Sequence, residues 1–170
     1  MNLPDKLDIL IITLSDRAYK GEYKDLSGPM VKEKAESFLS GSGLKGKIEI
    51  SVLPDDAGML EDLLLRSVSD YHIIITTGGT GIGPRDITVE TVRPMLTKEI
   101  PGIMEFIRVK YGMEKPNALL SRGVAGIINK TLIYTIPGSV RAAGEYMDEI
   151  LKTVIHTIQM LYGIDTHQKH

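Results

Sequence analysis

Residues Ile73–Val92 read IIITTGGTGIGPRDITVETV, and the order of their parts indicates the fold class. A β-branched apolar run of this length is typical of a strand that is buried on both faces, as in a parallel sheet. The run gives way to two threonines and four glycines, and a helix-like pattern resumes after an Arg-Asp pair. This order places flexible backbone at the carboxyl end of a strand, where open α/β sheets form their ligand crevices.

The segments before this stretch repeat the alternation of strand and helix. Strands are predicted at 7–14 (LDILIITL), 47–53 (KIEISVL) and 71–77 (YHIIITT). A loop over Ser15–Leu26 precedes a helix that begins at Ser27 as its N-cap, and a turn cluster at 41–46 follows that helix. Asp55 or Asp56 is expected to cap the next helix. This spacing predicts crossover connections and a largely parallel sheet that is covered on both faces.

The segments after it add further helices and a hairpin. Thr88 is the N-cap candidate of a helix that Pro94 should end within a turn, and Pro101 suits the start of another helix. The runs GVAGII and TLIYTI flank Asn-Lys, which predicts an antiparallel hairpin at the sheet edge. Apolar residues from 146 to 161 predict a long final helix, with residues 167–170 frayed.

Length and composition limit the classes of protein that this chain can represent. A length of 170 residues predicts a single domain over residues 1–170. The formal net charge of -2 gives no general attraction to nucleic acid or to an anionic membrane. The absence of cysteine excludes disulfides and a cysteine nucleophile. A polar start, MNLPDKLD, and the absence of a long apolar segment predict a cytoplasmic protein without a membrane span.

The glycine loop has the chemistry of a phosphate site but fits neither standard motif. Backbone N–H groups between a strand and a helix N-terminus favour an anion. A P-loop ends in Gly-Lys-Ser/Thr, and no lysine occurs between Tyr71 and Leu96. A dinucleotide fingerprint that starts at Gly79 requires glycine where Pro84 lies. A tight structural turn is the alternative interpretation.

Asp86 follows the glycines beside Arg85, and two roles are open for it. A carboxylate next to a phosphate cradle can hold Mg²⁺ against the phosphates, while an arginine offsets their charge. An aspartate in this position can equally cap the helix that follows. Ser15 ends the first strand, where its hydroxyl can bind a ligand or cap local backbone. His72 lies within an apolar strand, which is more typical of a core histidine than of a metal ligand.

The chain resembles the molybdenum-cofactor biosynthesis family, which includes MogA-type molybdopterin adenylyltransferases, MoaB and the G domain of gephyrin. The stretches that carry the resemblance are TLSDRAYKGEYKDLSGP (13–29), VLPDD (52–56), TTGGTGIGPRDITVETV (76–92), EIPGIMEFIR (99–108), LSRGVAGIINKTLIYTIPGS (120–139) and the terminal helix. The glycine stretch with its RDIT end is specific, and the others support it as a set. The segment 123–139 is more similar to the MoaB branch, whereas 83–88 is more similar to the adenylyltransferases.

The resemblance implies a three-layer α/β/α sandwich, a homotrimer, and transfer of AMP from MgATP to molybdopterin with release of pyrophosphate. The family's two catalytic aspartates map onto Asp55 and Asp86, which would hold Mg²⁺; Asp56 stands where the family usually has glutamate. The product would pass to a downstream molybdenum-insertion protein. The residues expected to bind the substrates are Ser15, Thr77, Gly78, Gly79, Thr80, Gly81, Ser121, Pro137, Gly138 and Ser139. A non-catalytic, MoaB-like pterin-binding or scaffold protein and a nucleotide hydrolase are the alternatives.

Overall fold

A computed structural model of the chain describes residues 4–164. The strands are β1 (Ile9–Leu14), β2 (Ile48–Leu53), β3 (Ile73–Thr77), β4 (Lys98–Glu99), β5 (Ala125–Ile128) and β6 (Thr131–Ile136). The α-helices are α1 (Asp16–Tyr19), α2 (Ser27–Ser42), α3 (Ala57–Ser67), α4 (Thr88–Val92), α5 (Pro101–Gly112) and α6 (Val140–Leu161). Short 3₁₀ turns cover Arg93–Met95 and Pro116–Leu120.

The strands form one sheet in the order β2-β1-β3-β6-β5-β4. β1 pairs in parallel with β2 and β3, and β3 pairs in parallel with β6. β5 and β4 are antiparallel and form the edge next to β6. The hairpin between β5 and β6 turns at Asn129, whose φ of 55° is the left-handed conformation that such a turn requires. The predicted α/β class with an antiparallel edge element is confirmed.

The sheet is buried on both faces because its central strands are apolar on both sides. On one face, Ile9 and Ile11 pack in a core with helices α2, α5 and α6. On the other face, Leu10 and Ile12 pack in a second core with α3 and α4. Alternate residues of one strand therefore serve different cores, which is why the strand shows no polar alternation in its sequence. The arrangement is the three-layer α/β/α sandwich that the resemblance implies.

Three expectations about the helix starts are wrong. Residues 15–26 are not all loop, because α1 forms at Asp16 and Ser15 caps it by accepting from the N–H of Ala18 at 3.2 Å. Ser27 does not cap α2; the carboxylate of Asp25 accepts from its N–H at 3.1 Å instead. Thr88 does not cap α4 either, because its hydroxyl donates to the carbonyl of Gly78 at 2.8 Å.

Two element boundaries also differ from expectation. α2 extends into the first two residues of the predicted turn cluster, to Ser42, and Gly43 ends it with a φ of 70°. β4, a strand of two residues, was not predicted, since so short a segment shows no periodicity. Asp56, one of the two predicted candidates, caps α3 by accepting from the N–H of Met59 at 2.8 Å. The structure also agrees with the predicted roles of Pro94 and Pro101.

Two expectations extend beyond what the structure describes. Residues 167–170, which were expected to fray, lie outside residues 4–164. The single domain over residues 1–170 stays a prediction for the same reason. Within the described part of the chain, no helix has both the length and the apolar character needed to cross a membrane.

Candidate active site

A cavity of about 1020 Å³ lies at the carboxyl edge of the parallel strands. The chain leaves β1, β2, β3 and β6 at this edge, so residues that are distant in sequence meet here. The sequence-predicted site residues that line the cavity are Ser15, Asp55, Thr77, Gly78, Gly79, Thr80, Gly81, Asp86, Ser121, Pro137, Gly138 and Ser139. The structure therefore brings the whole predicted set together. Their binding and catalytic roles stay predictions.

The glycine loop follows β3 in a conformation that side chains would prevent. Gly78 and Gly79 have φ values of 105° and 66°, which L-residues with a side chain rarely adopt. A Cβ at Gly78 would collide with the carbonyl oxygen of Leu14, and one at Gly79 would collide with the hydroxyl of Thr88. The loop thus passes directly over the end of β1, which leaves room above it for a ligand.

Two residues attach the glycine loop to its surroundings. The N–H of Thr88 donates to the carbonyl of Gly79 at 3.1 Å, in addition to the bond from its hydroxyl to Gly78. The side chain of Arg122 donates from Nε to the carbonyl of Gly81 at 2.7 Å, and its own N–H donates to the carbonyl of Thr80 at 2.9 Å. Arg122 also pairs with Glu90 on α4. These bonds occupy carbonyl oxygens, which are the groups that would repel an anion.

Carboxylates meet at the β1 and β2 end of the cavity. Asp55 and Asp16 bond reciprocally: the N–H of Asp16 donates to Asp55 Oδ2 at 3.2 Å, and the N–H of Asp55 donates to Asp16 Oδ1 at 3.1 Å. Asp86 accepts from the N–H of Gly83 at 2.8 Å and makes no cap bond to α4. The capping alternative for Asp86 is therefore wrong. Arg85 donates to Asp16 at 2.6 Å and so neutralises one of these charges.

The pKa values of Asp55 and Asp16 are shifted in opposite directions. Burial raises the pKa of Asp55, and the nearby charges of Asp16 and Asp86 add to this effect, whereas the hydrogen bond from the N–H of Asp16 and the charge of Arg85 oppose it. The hydrogen bond from Arg85 lowers the pKa of Asp16. Asp55 is thus a partly buried carboxylate beside two others, with the local arginine bound to Asp16. A cation placed here would relieve the repulsion.

This donor set fits Mg²⁺ that is shared with a substrate. Within residues 4–164, no group of three or more His, Cys, Asp or Glu side chains is arranged to hold a metal ion. Mg²⁺ is usually bound by one or two carboxylates together with waters and substrate phosphates, so a larger protein cluster is not required. Asp55 and Asp86 supply two oxygen ligands next to the glycine loop, and the partly buried charge of Asp55 favours a cation.

The serine residues at the strand ends cap helices and still have a proton to donate. Ser15 and Ser139 each accept a backbone N–H, from Ala18 at 3.2 Å and from Ala142 at 3.3 Å. A hydroxyl that accepts one bond keeps its own proton for a second partner. The two roles that the sequence left open for Ser15 are therefore compatible.

His72 is half-buried rather than a member of either core, and its ring is hydrogen-bonded within the chain. Its Nδ1 accepts from the N–H of Asp8 at 3.1 Å, and burial lowers the pKa of its imidazole. It does not line the cavity at the strand ends.

Sequence reasoning did not assign Asp16, Asp25 or Arg122 to the site. Asp25 lines the cavity, accepts from the hydroxyl of Thr13 at 2.7 Å and holds the first turn of α2. A signal for Asp25 was present, because Asp followed by Ser-Gly before an apolar helix is a common N-cap pattern. No local signal could reveal the bond from Arg122 to the loop, since its partner Gly81 lies 41 residues away.

The sequence matches one protein family model and is similar to proteins of molybdenum cofactor biosynthesis. Residues 10–157 match the family model described as a probable molybdopterin binding domain. A molybdopterin adenylyltransferase of Helicobacter pylori strain 26695 is 33% identical over 159 residues, which are 92% of this chain and 89% of that protein. Molybdenum cofactor biosynthesis protein B of Staphylococcus aureus is 49% identical over 85 residues, 49% of this chain and 51% of that protein.

Solved structures show the same fold along nearly the whole chain. The tungsten cofactor synthesizing protein MoaB from Pyrococcus furiosus superposes with a TM-score of 0.82 at 33% identity, covering 93% of this chain and 98% of that chain. The molybdopterin biosynthesis Mog protein from Mycobacterium ulcerans gives a TM-score of 0.81 at 32% identity, again covering 93% and 98%.

Proposed function

The chain belongs to the family of probable molybdopterin-binding domains of molybdenum cofactor biosynthesis, and we propose that it is a molybdopterin adenylyltransferase. The proposed reaction transfers AMP from MgATP to the terminal phosphate of molybdopterin and releases pyrophosphate. The substrates are inferred from the name of the Helicobacter relatives. The assignment of an adenylyltransferase activity within this family depends on the residues that line the cavity.

The observation that supports the proposal most strongly is the position of Asp55 and Asp86. They lie at the ends of different segments, after β2 and after the glycine loop, yet they line the same cavity. Their charges interact, because the charge of Asp86 contributes to the raised pKa of Asp55. A protein that only bound a pterin would have no need for two like charges beside a phosphate cradle. A phosphoryl-transfer enzyme that uses Mg²⁺ needs this arrangement.

The residues of the cavity then have simple roles in an in-line displacement. A terminal phosphate oxygen of molybdopterin forms a bond to the α-phosphorus of ATP, and the bond from that phosphorus to the bridging oxygen breaks. Pyrophosphate leaves with the electron pair. Since the attacking phosphate is already an anion at neutral pH, no general base is needed. Catalysis comes from positioning and from stabilisation of the spreading negative charge.

Backbone and side-chain donors of the chain supply that stabilisation. The N–H of Gly78 already donates to the carbonyl of Ile136 at 3.0 Å, so the loop's N–H groups from Gly79 to Gly81 are the ones that donate to phosphate oxygens. The hydroxyls of Ser15 and Ser139 donate from either side of the loop. Asp55 and Asp86 would hold Mg²⁺, which when bound neutralises phosphate charge. Arg85 is anchored by Asp16 beside these carboxylates and adds positive charge at the mouth of the loop.

The test is pyrophosphate release from MgATP with and without molybdopterin, comparing the parent with Asp86→Asn. The amide keeps the shape and can still accept from the N–H of Gly83. Turnover should fall on the order of 100-fold or more because the charge is lost, whereas molybdopterin binding should be kept. Excess Mg²⁺ in the assay separates weak metal binding from lost chemistry.

Asp56→Asn is the matched control for this experiment. Asp56 is next to Asp55 but caps α3 and does not line the cavity. Asparagine caps helices as well as aspartate does, so both fold and turnover should be kept. Equal turnover of parent and Asp86→Asn would refute the proposed role of Asp86.

A non-catalytic, MoaB-like function is the second candidate. The observation that favours it is the 49% identity to the Staphylococcus protein over 85 residues. In that case molybdopterin binds but pyrophosphate is not released. Pyrophosphate release in the absence of molybdopterin would instead identify a nucleotide hydrolase.

Three further proposals come from the resemblance. The chain assembles as a homotrimer, its product passes to a molybdenum-insertion protein, and it acts in the cytoplasm. The trimer has some physical support, because α5 and its C-cap expose apolar side chains, among them Phe106, Val109 and Met113.

A further inference from the structure

The end of the cavity next to α6 carries more positive than negative charge. Lys115, Arg141 and Glu145 line this end together. Both cations bind the same carboxylate oxygen: Lys115 Nζ lies 2.6 Å from Glu145 Oε1, and Arg141 Nε lies 3.1 Å from that atom. One carboxylate cannot neutralise two cations, so one positive charge remains in excess. A cleft with an excess of one charge attracts ligands of the opposite charge.

The two cations also keep donors that Glu145 does not use. Within residues 4–164, Arg141 donates from Nε, and neither of its terminal nitrogens bonds to an acceptor. Lys115 uses one of its three protons for Glu145. The side chain of Arg141 is 74% exposed and that of Lys115 is 33% exposed, so both are accessible. An anion in the cavity can therefore accept from both without displacing Glu145.

The first turn of α6 adds donors at the same end. α6 has 22 residues, and the N–H of Ala143 donates to the carbonyl of Ser139 at 2.8 Å to begin its hydrogen bonds. The N–H of Arg141 precedes that bond and has no partner in the helix, and such N–H groups favour an anion. This turn also contacts the glycine loop, because a Cβ at Gly138 would lie 3.1 Å from the Cα of Gly78. An anion here would thus lie beside the phosphate site proposed for the loop.

A buried donor without a partner is an independent sign of a ligand at this end. Three buried side-chain oxygens within residues 4–164 have no hydrogen-bond partner: those of Thr76, Tyr134 and Tyr146. A buried hydroxyl without a partner is costly and rare. Of these three residues, only Tyr146 lines the cavity; it is 2% exposed and follows Glu145 on α6. An anion accepts hydrogen bonds, so a bound anion can supply the acceptor that the chain does not.

We propose that Lys115 and Arg141 form a subsite for a phosphate group of a substrate. Both side chains donate charge-assisted hydrogen bonds to the phosphate oxygens, and Glu145 holds the two cations in place. The subsite does not need a metal ion, in contrast to the carboxylates Asp55 and Asp86. This inference rests on the proposed function for the identity of the substrates, since molybdopterin and ATP both carry phosphate.

Inorganic pyrophosphate, titrated by calorimetry in a buffer with a metal chelator, tests the subsite without Mg²⁺. The parent should bind it, and Lys115→Gln and Arg141→Gln should each weaken binding about 3- to 10-fold, between the effects of an exposed ion pair and a buried charged hydrogen bond. Lys110→Gln and Lys152→Gln are the matched controls. Lys110 and Lys152 also share one carboxylate, that of Glu149 on α6, but do not line the cavity. Both controls should bind pyrophosphate as the parent does.

Glu145→Gln should change the affinity in the opposite direction. It removes the negative charge that repels the anion, and its amide oxygen can still accept from Lys115 and Arg141. Pyrophosphate should then bind about 3- to 10-fold more tightly. A purely structural role of these side chains predicts unchanged or weaker binding in Glu145→Gln, and that result would overturn the proposal. So would a parent that does not bind pyrophosphate without metal, or equal losses in the two lysine controls.

Separate titrations of MgATP and molybdopterin identify the substrate whose phosphate is bound. In Lys115→Gln, a loss for MgATP alone assigns the subsite to a phosphate of ATP, and a loss for molybdopterin alone assigns it to the terminal phosphate of molybdopterin. In turnover, KM for that substrate should rise. A loss for neither substrate would overturn the assignment to a substrate phosphate.

Failure of the subsite and failure of the proposed function give different results. A parent that binds pyrophosphate through Lys115 and Arg141 but releases none from MgATP with molybdopterin refutes the proposed function and leaves the anion site. A parent that turns over, with affinities that Lys115→Gln and Arg141→Gln do not change, refutes only the subsite.

Discussion

At the scale of single residues, Asp55 shows how a site can reduce the stability of the protein that contains it. Its pKa is raised by burial and by the charges of Asp16 and Asp86. A carboxyl with a raised pKa in the folded state costs stability where it is ionised, at pH values above that pKa. The cost disappears as the pH falls below the pKa of the unfolded chain. Bound Mg²⁺, alone or together with a substrate phosphate, would offset this loss of stability.

We therefore expect Asp55→Asn to raise the melting temperature of the free protein at neutral pH while it abolishes turnover. The difference from the parent should shrink as the pH is lowered towards about 4, near the ordinary value for aspartate. The amide oxygen of asparagine can still accept from the N–H of Asp16. Calorimetry across this pH range measures the melting temperature, and the pyrophosphate assay measures turnover.

Asp16→Asn is the control, because it should change the melting temperature in the opposite direction. Arg85 lowers the pKa of Asp16, so its ionised form stabilises the fold above the unfolded pKa, and that contribution is lost as the pH falls. Asp16→Asn should lower the melting temperature at neutral pH. If Asp55→Asn lowers it as well, the interpretation of Asp55 as a destabilising charge is wrong.

At the scale of elements, the glycine loop is held by a residue from a distant segment. Arg122, just before β5, bonds the carbonyls of Thr80 and Gly81 and pairs with Glu90 on α4. The loop itself is rich in glycine and supplies little stabilisation of its own conformation. The position of its N–H groups thus depends on Arg122.

Arg122→Ala should loosen the loop without unfolding the sheet. Arg122→Ala removes hydrogen bonds that the charged guanidinium donates, which should lower the free energy of unfolding by about 1–2 kcal/mol. This is less than such bonds contribute when fully buried, because the side chain is partly exposed. Hydrogen exchange should accelerate over residues 78–86. KM should rise for the substrate whose phosphate the loop binds. The control is Arg93→Ala, which removes an exposed pair with Glu99. Unchanged exchange in Arg122→Ala would contradict the proposed attachment.

Much of the element order could be predicted from sequence because the strands are continuous apolar runs. Ile9–Leu14 and Ile73–Thr77 are fully buried, so their composition alone distinguishes them from the amphipathic helices. Helix caps were harder to predict, since Asp25 and Ser27 both have cap chemistry and only the fold decides between them. β4 was missed because it is defined by its pairing with β5.

The site was predictable where it follows from the parallel sheet. Residues just after parallel strands converge at one edge, which is why Ser15, Asp55 and Gly78 could be placed together. The pair between Arg85 and Asp16 joins residues 69 apart, and no pattern of spacing indicates it. The sequence also could not indicate that the buried hydroxyl of Tyr146 lacks a hydrogen-bond partner, because the helical spacing of this residue is that of an ordinary core position.

At the scale of the whole molecule, α5 and its C-cap present an apolar surface that residues 4–164 leave exposed. Phe106, Val109 and Met113 are 57%, 59% and 83% exposed and follow one another at helical spacing. The 3₁₀ turn beside α5 adds exposed Leu119 and Leu120. Adjacent exposed apolar residues typically mark an interaction surface. A second copy of the chain is the partner that the proposed homotrimer requires.

We expect the parent to have the mass of three 18.7 kDa chains by light scattering, and Phe106→Glu to have the mass of one. A charge placed in the centre of an apolar interface is unfavourable on association, whereas on the free surface it costs the monomer little. Leu65→Glu is the control: Leu65 is 59% exposed on α3, a helix packed on the opposite face of the sheet. It adds the same charge and should stay trimeric. Circular dichroism must show that both variants are folded. A monomeric parent would refute the homotrimer, and dissociation of both variants would show that α5 is not the specific contact.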